Sequence, residues 1–445
     1  MKKAIFFILG LAAVSCVNLF AGETLNLKLV PERGYFMRHT PQEVVIKIDL
    51  SAMAGHEKVH RTPLNLAVVL DKSGSMTGAK LEKTKQAAMQ LVDRLAPDDI
   101  VSLIVYSDKA RLLVPAQRVE DKEALKEQIE NVEAGGSTAL YAGVKLGADQ
   151  LQEYFSSRRI NRVILLSDGL ANVGPSSPRE LRRLGSDLAE RGISVTTIGV
   201  GDDYNEDLMA GLAGASDANY YYVKDVEKLP EIFAKELGEL LTVAARDVRI
   251  EIVCPDGVKP LGFIGRAEKF ENQHCTVNLS QFTPGQDRYL FLRCLVNDRQ
   301  PDVAHVNVSY KDQLDNDSEQ TTSGVARISF TDSRSVSDQS VNGAVVAEKE
   351  LMLTAVAKDE AMTQADAGNY AKAADILNSQ NIRMNAAYAA APAPVQMQIR
   401  QETANLNYFS NRVAGGGGGF GGGGGYDSAT RKTMQEQSFN ARNSK

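Results

Sequence analysis

Short apolar runs alternate with helical patterns in the middle of the chain. The runs are nearly continuous, as in strands buried on both faces of a parallel sheet, and they cover Leu64–Leu70, Asp99–Tyr106, Val163–Leu166 and Ile193–Val200. Between them, apolar residues recur at helical spacing over Lys80–Leu95, Lys122–Val132, Ala139–Phe155, Pro178–Arg191 and Glu206–Ala213. This alternation predicts a doubly wound α/β domain with a mostly parallel sheet, which binds its ligands at the carboxyl ends of the strands.

Period-two patterns, typical of antiparallel strands, flank this domain on both sides. Short strands are predicted within residues 22–60, and alternating segments within 242–335 are typical of a β-sandwich. We predict that the N-terminal strands pair with the later ones, so that the α/β domain, residues 61–241, is an insertion. A helical region over 343–412 and a Gly-rich flexible tail over 413–445 complete the predicted organisation.

The helical region contains one weak repeat signal. Ala365–Ala374 resembles half of a tetratricopeptide hairpin, but stacked arrays need about three repeats, so a single hairpin that packs on its own chain is favoured. In the tail, ten of the 36 glycines lie between Gly415 and Gly425. Such a stretch is expected to act as a flexible tether.

The first 21 residues have the layout of a secretory signal peptide. Lys2 and Lys3 precede an apolar stretch, Ala4–Val14, and small residues follow. Ala13–Cys16 is similar to a bacterial lipobox, so lipidation and membrane anchoring at Cys16 are the alternative to simple cleavage. Either route predicts an exported protein that is periplasmic, envelope-associated or secreted. No later apolar run reaches the roughly 18 to 20 residues that span a bilayer.

Composition narrows the function classes. The 445 residues carry 50 Lys+Arg and 56 Asp+Glu, a formal charge of −6, which argues against a nucleic-acid partner. Four cysteines are too few for a disulfide-built scaffold, and Cys254, Cys275 and Cys294 allow at most one internal bridge. The sequence has no Gly-rich phosphate loop and no nucleophile elbow.

Oxygen-bearing side chains follow three of the predicted elements. Asp71, Ser73 and Ser75 come after the first buried strand at spacing i, i+2, i+4, while Thr138 and Asp168 lie at the ends of other elements. Such hard oxygen donors suit Mg²⁺, Mn²⁺ or Ca²⁺ rather than zinc or copper. The alternative is an ordinary strand-to-helix turn with an N-capping side chain.

In order and context, these five residues resemble the metal-ion-dependent adhesion site (MIDAS) of von Willebrand factor type A (VWA) domains, over about residues 62–240. The resemblance implies that Ser73, Ser75 and Thr138 touch the ion directly, whereas Asp71 and Asp168 act largely through water. It also implies that the ion, Mg²⁺ first and Mn²⁺ or Ca²⁺ otherwise, accepts an Asp or Glu carboxylate from a partner protein.

The wider chain is similar to bacterial exported proteins in which a VWA domain is flanked by β segments and followed by helices. We therefore expect a protein that mediates recognition or adhesion at the cell envelope and is not an enzyme. The first alternative is a structural scaffold with a permanently saturated metal site, which makes its contacts through the C-terminal helices.

The second alternative is a zinc metalloprotease. His56-Glu57-Lys58-Val59-His60 spells the HExxH pattern, in which two histidines hold zinc and the glutamate is the general base. Gly55 precedes the motif and Pro63 follows it closely, so that no long helix is expected there. We interpret the motif as a solvated linker.

Two further clusters have ordinary interpretations. Asp202–Asp207 is interpreted as a solvated loop and helix N-terminus, where acidic residues suit the helix dipole. Its alternative roles are a second cation site or a rim that repels acidic partners. The adjacent His274 and Cys275 are interpreted as a chance pairing on a strand.

Overall fold

The computed structural model describes residues 24–54, 61–297, 300–315, 317–416 and 425–443. The predicted signal peptide with Cys16, the His56–His60 motif and most of the Gly-rich stretch lie outside these ranges. Within the described ranges, no helix combines the length and the apolar character that crossing a membrane requires.

The described residues form sixteen β-strands and eleven α-helices. The strands are β1 (Leu25–Pro31), β2 (Tyr35–Met37), β3 (Gln42–Ala52), β4 (Leu64–Asp71), β5 (Ile100–Tyr106), β6 (Ala110–Arg118), β7 (Ile160–Ser167), β8 (Ser194–Val200), β9 (Tyr220–Val223), β10 (Ala245–Val253), β11 (Val258–Phe263), β12 (His274–Phe282), β13 (Asp287–Val296), β14 (Asp302–Asp312), β15 (Ser318–Arg327) and β16 (Ser329–Thr331). The helices are α1 (Ala79–Arg94), α2 (Lys122–Glu130), α3 (Leu140–Glu153), α4 (Pro178–Glu190), α5 (Glu206–Ala215), α6 (Leu229–Leu241), α7 (Arg334–Gln339), α8 (Gly343–Asp366), α9 (Tyr370–Tyr388), α10 (Ala393–Ala414) and α11 (Ser428–Arg442).

The central sheet has the strand order β6-β5-β4-β7-β8-β9. Neighbouring strands are parallel, except that β6 is antiparallel to β5. Every residue of β4, β5 and β7 is buried, which explains why these strands are nearly continuous apolar runs. Two hydrophobic cores cover the two faces, one including residues of α1, α2 and α6, the other residues of α3, α4 and α5. This arrangement confirms the predicted doubly wound fold.

The remaining long strands form an antiparallel sandwich. Its sheets have the orders β1-β3-β13-β11 and β12-β10-β14-β15, and their inner faces share one core. β3 pairs with β13 over ten positions, from Gln42 opposite Val296 to Ser51 opposite Asp287. The strands before and after the α/β domain therefore belong to one sheet, and the α/β domain is inserted into the sandwich.

Gln313 contacts both ends of the inserted domain. At the beginning of the insertion, Thr62 Oγ1 donates a hydrogen bond to Gln313 Oε1 at 2.7 Å. At its end, Gln313 N donates to Ala244 O at 2.9 Å. Thr62 and Gln313 are both buried, so the two connections run side by side through the interior.

Helices α8, α9 and α10 pack against each other over a core rich in alanine and methionine. Gly368, at φ +81°, allows the tight turn between α8 and α9, within the segment that resembles half a tetratricopeptide hairpin. One end of α8 also packs on the sandwich, where Val345 and Met352 share a core with Val45 and Phe291. The hairpin thus packs on its own chain.

Helix α11 corrects the prediction of a flexible tail over 413–445. Residues 428–442 are helical and lie between the α/β domain and α8, with Met434 and Phe439 buried. Sequence patterns did not indicate this helix, because its apolar residues are few and its anchoring is largely by charge.

The charged anchor of α11 is built on Arg431 and Lys432. Arg431 forms ion pairs with Glu206, Asp207 and Asp366, at distances between 2.7 and 2.8 Å. Lys432 is almost fully buried and lies 2.8 Å from Glu206. Two positive side chains of α11 therefore meet the acidic N-terminus of α5, where negative charge also suits the helix dipole.

Candidate metal centre

Three loops meet at the carboxyl edge of the central sheet. β4 ends at Asp71, and its neighbour β7 ends directly before Asp168. Because parallel neighbours end at the same edge, the two aspartates come close together. The third loop precedes α3 and carries Thr138.

Backbone hydrogen bonds join the first loop to the third. Gly74 N donates to Gly136 O at 3.0 Å, and Gly135 N donates to Lys72 O at 2.7 Å. Gly136 has φ +91°, and a Cβ there would lie only 2.8 Å from Asp108 Oδ2. The crossing of the loops therefore favours glycine at this position.

The carboxylate of Asp71 is buried and held from two sides. Its Oδ1 accepts a hydrogen bond from Ser73 N at 2.8 Å, and its Oδ2 accepts one from Ser167 Oγ at 2.9 Å. Burial raises the pKa of Asp71 above its usual value, and the nearby Asp168 adds to this, although the bonds from Ser73 and Ser167 oppose it. A cation would offset this cost of burying charge.

A chain of hydrogen bonds links the two serines to Asp168. Ser73 Oγ and Ser75 Oγ lie 3.1 Å apart, and Ser75 Oγ donates to Asp168 Oδ1 at 2.7 Å. The other oxygen of Asp168 pairs with Lys80 Nζ at 2.6 Å. Ser73 and Asp168 are buried, whereas Ser75 is exposed. The group therefore reaches from the interior to the surface.

Thr138 approaches the same place from the third loop. Its backbone N donates to Asn172 Oδ1 at 2.8 Å, and its carbonyl accepts from Asn172 N at 3.2 Å, which fixes the loop. A Cβ on Gly169 would lie 3.1 Å from Thr138 Oγ1 and 3.4 Å from Ser75 Oγ. Both hydroxyls therefore converge on Gly169, which leaves them room.

The structure thus places all five predicted side chains at one edge of the sheet, where they provide three hydroxyls and two carboxylates. This donor set fits a hard divalent cation. Within the described residues, including this centre, no group of three or more His, Cys, Asp or Glu side chains is arranged to hold a metal. The candidate centre has only two carboxylates, and its remaining oxygen donors are the hydroxyls of Ser73, Ser75 and Thr138.

Three residues at the centre were not predicted. Ser167 holds Asp71, Asn172 fixes the loop of Thr138, and Lys80 pairs with Asp168. Lys80 lies on the first turn of α1 and reaches across to the loop after β7, so that no spacing in the sequence connects the pair. Asn172 likewise belongs to an irregular segment without a pattern of its own.

The acidic segment Asp202–Asp207 is not simply solvated. Asn205 caps α5 by accepting a hydrogen bond from Leu208 N, as expected for a helix N-terminus. Glu206, however, is buried, and it pairs with residues of α11. The interpretation as a solvated loop is therefore wrong for Glu206, because a helix that the sequence did not indicate covers it.

His274 and Cys275 point to opposite faces of β12. His274 is exposed and Cys275 is buried in the sandwich core, as the alternation of a strand requires. The two side chains therefore do not form a catalytic pair.

Comparison with known proteins identifies the α/β domain. Residues 65–235 match the family model of the von Willebrand factor type A domain. Protein sll0103 of Synechocystis sp. is 29% identical over 60% of this chain, and protein YfbK of Escherichia coli is 29% identical over 47%. Human inter-alpha-trypsin inhibitor heavy chain H4 is 29% identical over 41%. These matches span 66%, 37% and 19% of the relatives, so the chain covers less than two thirds of their length.

Two solved structures share the fold over most of the chain. A von Willebrand factor type A protein from Catenulispora acidiphila aligns with a TM-score of 0.68 at 18% identity, covering 88% of this chain and 90% of its own. The ArnB paralog VWA2 from Sulfolobus acidocaldarius aligns with a TM-score of 0.63 at 17% identity, covering 88% and 97%. At such identities the likeness concerns the fold alone. Residues 65–235, which match the family model, thus have the fold of a von Willebrand factor type A domain.

Proposed function

We propose that this chain binds a divalent cation, Mg²⁺ first, through Asp71, Ser73, Ser75, Thr138 and Asp168, and that the cation recognises a carboxylate of a partner protein. The convergence of these side chains from three loops on one sheet edge carries the proposal. Ser73, Ser75 and Thr138 supply hydroxyl oxygens, while the two aspartates supply the negative charge. The cation supplies the positive centre to which a partner's Asp or Glu binds.

The surroundings of the centre suit a protein partner. Ser75 is exposed at the surface, and Leu170, two residues after Asp168, is 58% exposed. An exposed leucine beside a charged centre offers apolar contact area around an ionic anchor, as protein interfaces do. The match to a VWA domain and the similarity to inter-alpha-trypsin inhibitor heavy chains support binding rather than catalysis.

The proposed setting is the cell envelope, after export through the N-terminal segment. It rests on the sequence pattern of residues 1–21 and on Cys16 as an alternative site of lipid attachment. Mass spectrometry of the protein from a native cell fraction tests it. A mature chain that begins after residue 21, or a lipidated Cys16, supports export, and an intact Met1 in the cytoplasmic fraction contradicts it.

Calorimetric titration with Mg²⁺ and Mn²⁺ tests the metal centre. We expect saturable binding by the native chain and loss of binding in Asp71→Ala and Thr138→Ala. Asp203→Asn is the matched control, because Asp203 follows a neighbouring strand at the same sheet edge and takes no part in the centre. Equal binding by native chain and Asp71→Ala would contradict the assignment.

Chelation separates recognition through the metal from a scaffold role. The scaffold alternative is favoured by one observation, that Ile382 and Met397 on α9 and α10 are 72% and 75% exposed. Partners are captured from membranes with and without EDTA. Release by EDTA supports recognition through the cation, whereas retention in EDTA together with loss in the double variant Ile382→Ser/Met397→Ser supports the scaffold.

The metalloprotease alternative concerns residues outside the described ranges. Zinc analysis and a casein assay on the native chain and on His56→Ala test it. Zinc and proteolysis that are present in the native chain and lost in the variant would overturn the proposal of a binding protein.

A further inference from the structure

A second candidate binding site lies away from the metal centre. A cleft of about 1420 Å³ separates the α/β domain from the sandwich and the C-terminal helices. Ile160 and Ser194, at the amino ends of β7 and β8, line it. It therefore opens at the end of the central sheet opposite to the metal centre.

The residues that line the cleft carry more positive than negative side chains, unlike the chain as a whole. Nine arginines and seven carboxylates line it, although the whole chain has a formal charge of −6. Six of these carboxylates already pair with an arginine. In contrast, Arg159, Arg182 and Arg191 form no ion pair within the described residues. Uncompensated positive charge in a concave site favours an acidic ligand.

Two more arginines add buried donors to the wall of the cleft. Arg162 and Arg246 line it while being only 2% and 4% exposed. Within the described residues, the Nε–H of each has no hydrogen-bond acceptor. Because buried donors are normally paired, this wall is short of acceptors.

One wall of the cleft is the edge strand β12. Its inner side pairs with β10, and within the described residues no strand pairs with its outer side. Thr276 and Asn278 line the cleft. Backbone groups of alternate residues point outward from an edge strand, and Ser280 N points outward, so those of Asn278 and Thr276 do as well.

The outward N–H of Ser280 already binds a carboxylate group. It donates to the carboxylate of Asp217, and Ser280 Oγ donates to Asp217 O at 2.8 Å. Arg288 also binds this carboxylate, with Nη2 2.6 Å from Asp217 Oδ1. A carboxylate held by an arginine beside β12 thus already covers one position of the edge. Among the described strands, none pairs with the next outward positions.

We propose that the cleft binds an acidic polypeptide segment in extended form, which adds to β12 as a further strand. Its backbone pairs with the outward groups of Thr276 and Asn278, and its Asp or Glu side chains meet Arg182 and Arg191. Strand addition supplies affinity through the main chain, while alternate side chains supply specificity. A polysaccharide or a nucleic acid carries negative charge but has no peptide backbone to continue the sheet.

Fluorescence anisotropy with a labelled peptide of alternating glutamate and valine tests the proposal on the full chain. We expect saturable binding that persists in EDTA, because the cleft does not involve the metal centre. Arg182→Glu/Arg191→Glu should weaken binding by about tenfold or more, since both reversed charges lie in the cleft. Arg183→Glu is the matched control, because Arg183 is exposed on the same helix but does not line the cleft.

Asn278→Pro tests the strand addition separately. Proline removes the outward N–H without taking a hydrogen bond from the ladder with β10, so that the fold is kept. Weakened binding in this variant supports strand addition. Unchanged binding overturns it, as does the absence of saturable binding by the native chain. Binding of heparin through Arg182 and Arg191, without binding of the peptide, would show a polysaccharide site instead.

Discussion

Lys80 Nζ lies 2.6 Å from Asp168 Oδ2, in an ion pair in which the aspartate side chain is fully buried and the lysine side chain is 26% exposed. A cation at the metal centre would therefore be repelled by the ammonium of Lys80, which lies beside Asp168, one of the residues proposed to hold the cation. We expect Lys80→Met to bind Mg²⁺ more tightly, on the order of tenfold. Two unit charges 4 Å apart near a protein surface repel each other by roughly 4 kcal/mol. Because the flexible ammonium can move away into water, we expect only part of this repulsion.

Lys83→Met is the matched control for this prediction. Lys83 lies on the same helix, is 28% exposed and pairs with Glu227 at 2.8 Å, away from the centre. Calorimetric titration of both variants gives the comparison. Weaker Mg²⁺ binding by Lys80→Met would mean that the ammonium mainly positions Asp168.

A methyl group at Gly169 should disturb the metal centre without unfolding the domain. In Gly169→Ala the Cβ would lie 3.1 Å from Thr138 Oγ1, so the hydroxyl must move by a few tenths of an ångström. Since Mg²⁺ requires nearly ideal octahedral geometry, we expect roughly tenfold weaker Mg²⁺ binding, with Ca²⁺ affected less.

Gly238→Ala provides the control for this variant. Gly238 lies in α6 with no atom within 4 Å of the added methyl group. It should leave Mg²⁺ binding unchanged and raise the free energy of unfolding by about 0.5–1 kcal/mol, through helix propensity. Equal Mg²⁺ and Ca²⁺ affinities in Gly169→Ala and the native chain would contradict the assigned position of Thr138.

The buried strands of the VWA domain were predictable because burial on both faces demands continuous apolar runs. β6 was missed because it is an antiparallel edge strand with mixed exposure, and β9 because it has only four residues. Helix α11 was missed for another reason. Only two of its large apolar side chains, Met434 and Phe439, are buried, and ion pairs such as that of Lys432 with Glu206 add to its anchoring, which hydrophobic periodicity does not report.

At the metal centre, the sequence was sufficient to predict the positions of side chains that follow the ends of strands. The spacing of Asp71, Ser73 and Ser75, together with the topology, already places these residues on one edge. The contact of Lys80 with Asp168 depends on the reach of a side chain from α1 across the sheet edge. Such a contact depends on how a helix packs against a loop, so the spacing of residues along the sequence does not predict it.

Cys254 and Cys294 should form a disulfide under oxidising conditions. Their Sγ atoms lie 3.9 Å apart. Cys294 lies on β13, and Cys254 directly follows β10 of the opposite sheet. A glutathione disulfide would take up the two thiol hydrogens and leave as two glutathione molecules, while the Sγ–Sγ bond forms. The disulfide closes the loop between Cys254 and Cys294, and we expect it to stabilise the fold by about 2–4 kcal/mol. Urea unfolding with and without reductant measures this difference.

Cys275 is expected to remain a free thiol. Burial raises the pKa of Cys275 to about 11, which leaves little thiolate for exchange. Peptide mapping of the oxidised chain should find the 254–294 bridge in both the native protein and Cys275→Ala. A bridge between Cys254 and Cys275 would contradict the prediction.

Glu436 should make the stability depend on pH. Its Oε1 accepts a hydrogen bond from Tyr222 N at 2.8 Å on the edge strand β9, but burial raises its pKa above the usual 4.5. The folded chain therefore binds this proton more tightly than the unfolded chain, so this contribution to stability grows as pH falls towards 4.5 and is absent above the raised pKa.

Glu436→Gln keeps the acceptor and removes the charge. We expect the variant to be about 1 kcal/mol more stable than the native chain at pH 8 and to lose that advantage near pH 5, by urea unfolding. Glu123→Gln, at a side chain 85% exposed, is the control. A less stable variant at pH 8 would show that the charged acceptor of the Tyr222 bond outweighs its burial.

Gln313 binds both Thr62 and Ala244, so the VWA domain leaves and rejoins the sandwich at a single point. Removing the domain would open a gap that a few linker residues can close. In terms of gene architecture, the domain is an insertion that leaves the pairing of β3 with β13 intact, because neither strand belongs to it. Helix α11, which pairs with Glu206 and Asp207 of α5, would have to change together with the domain.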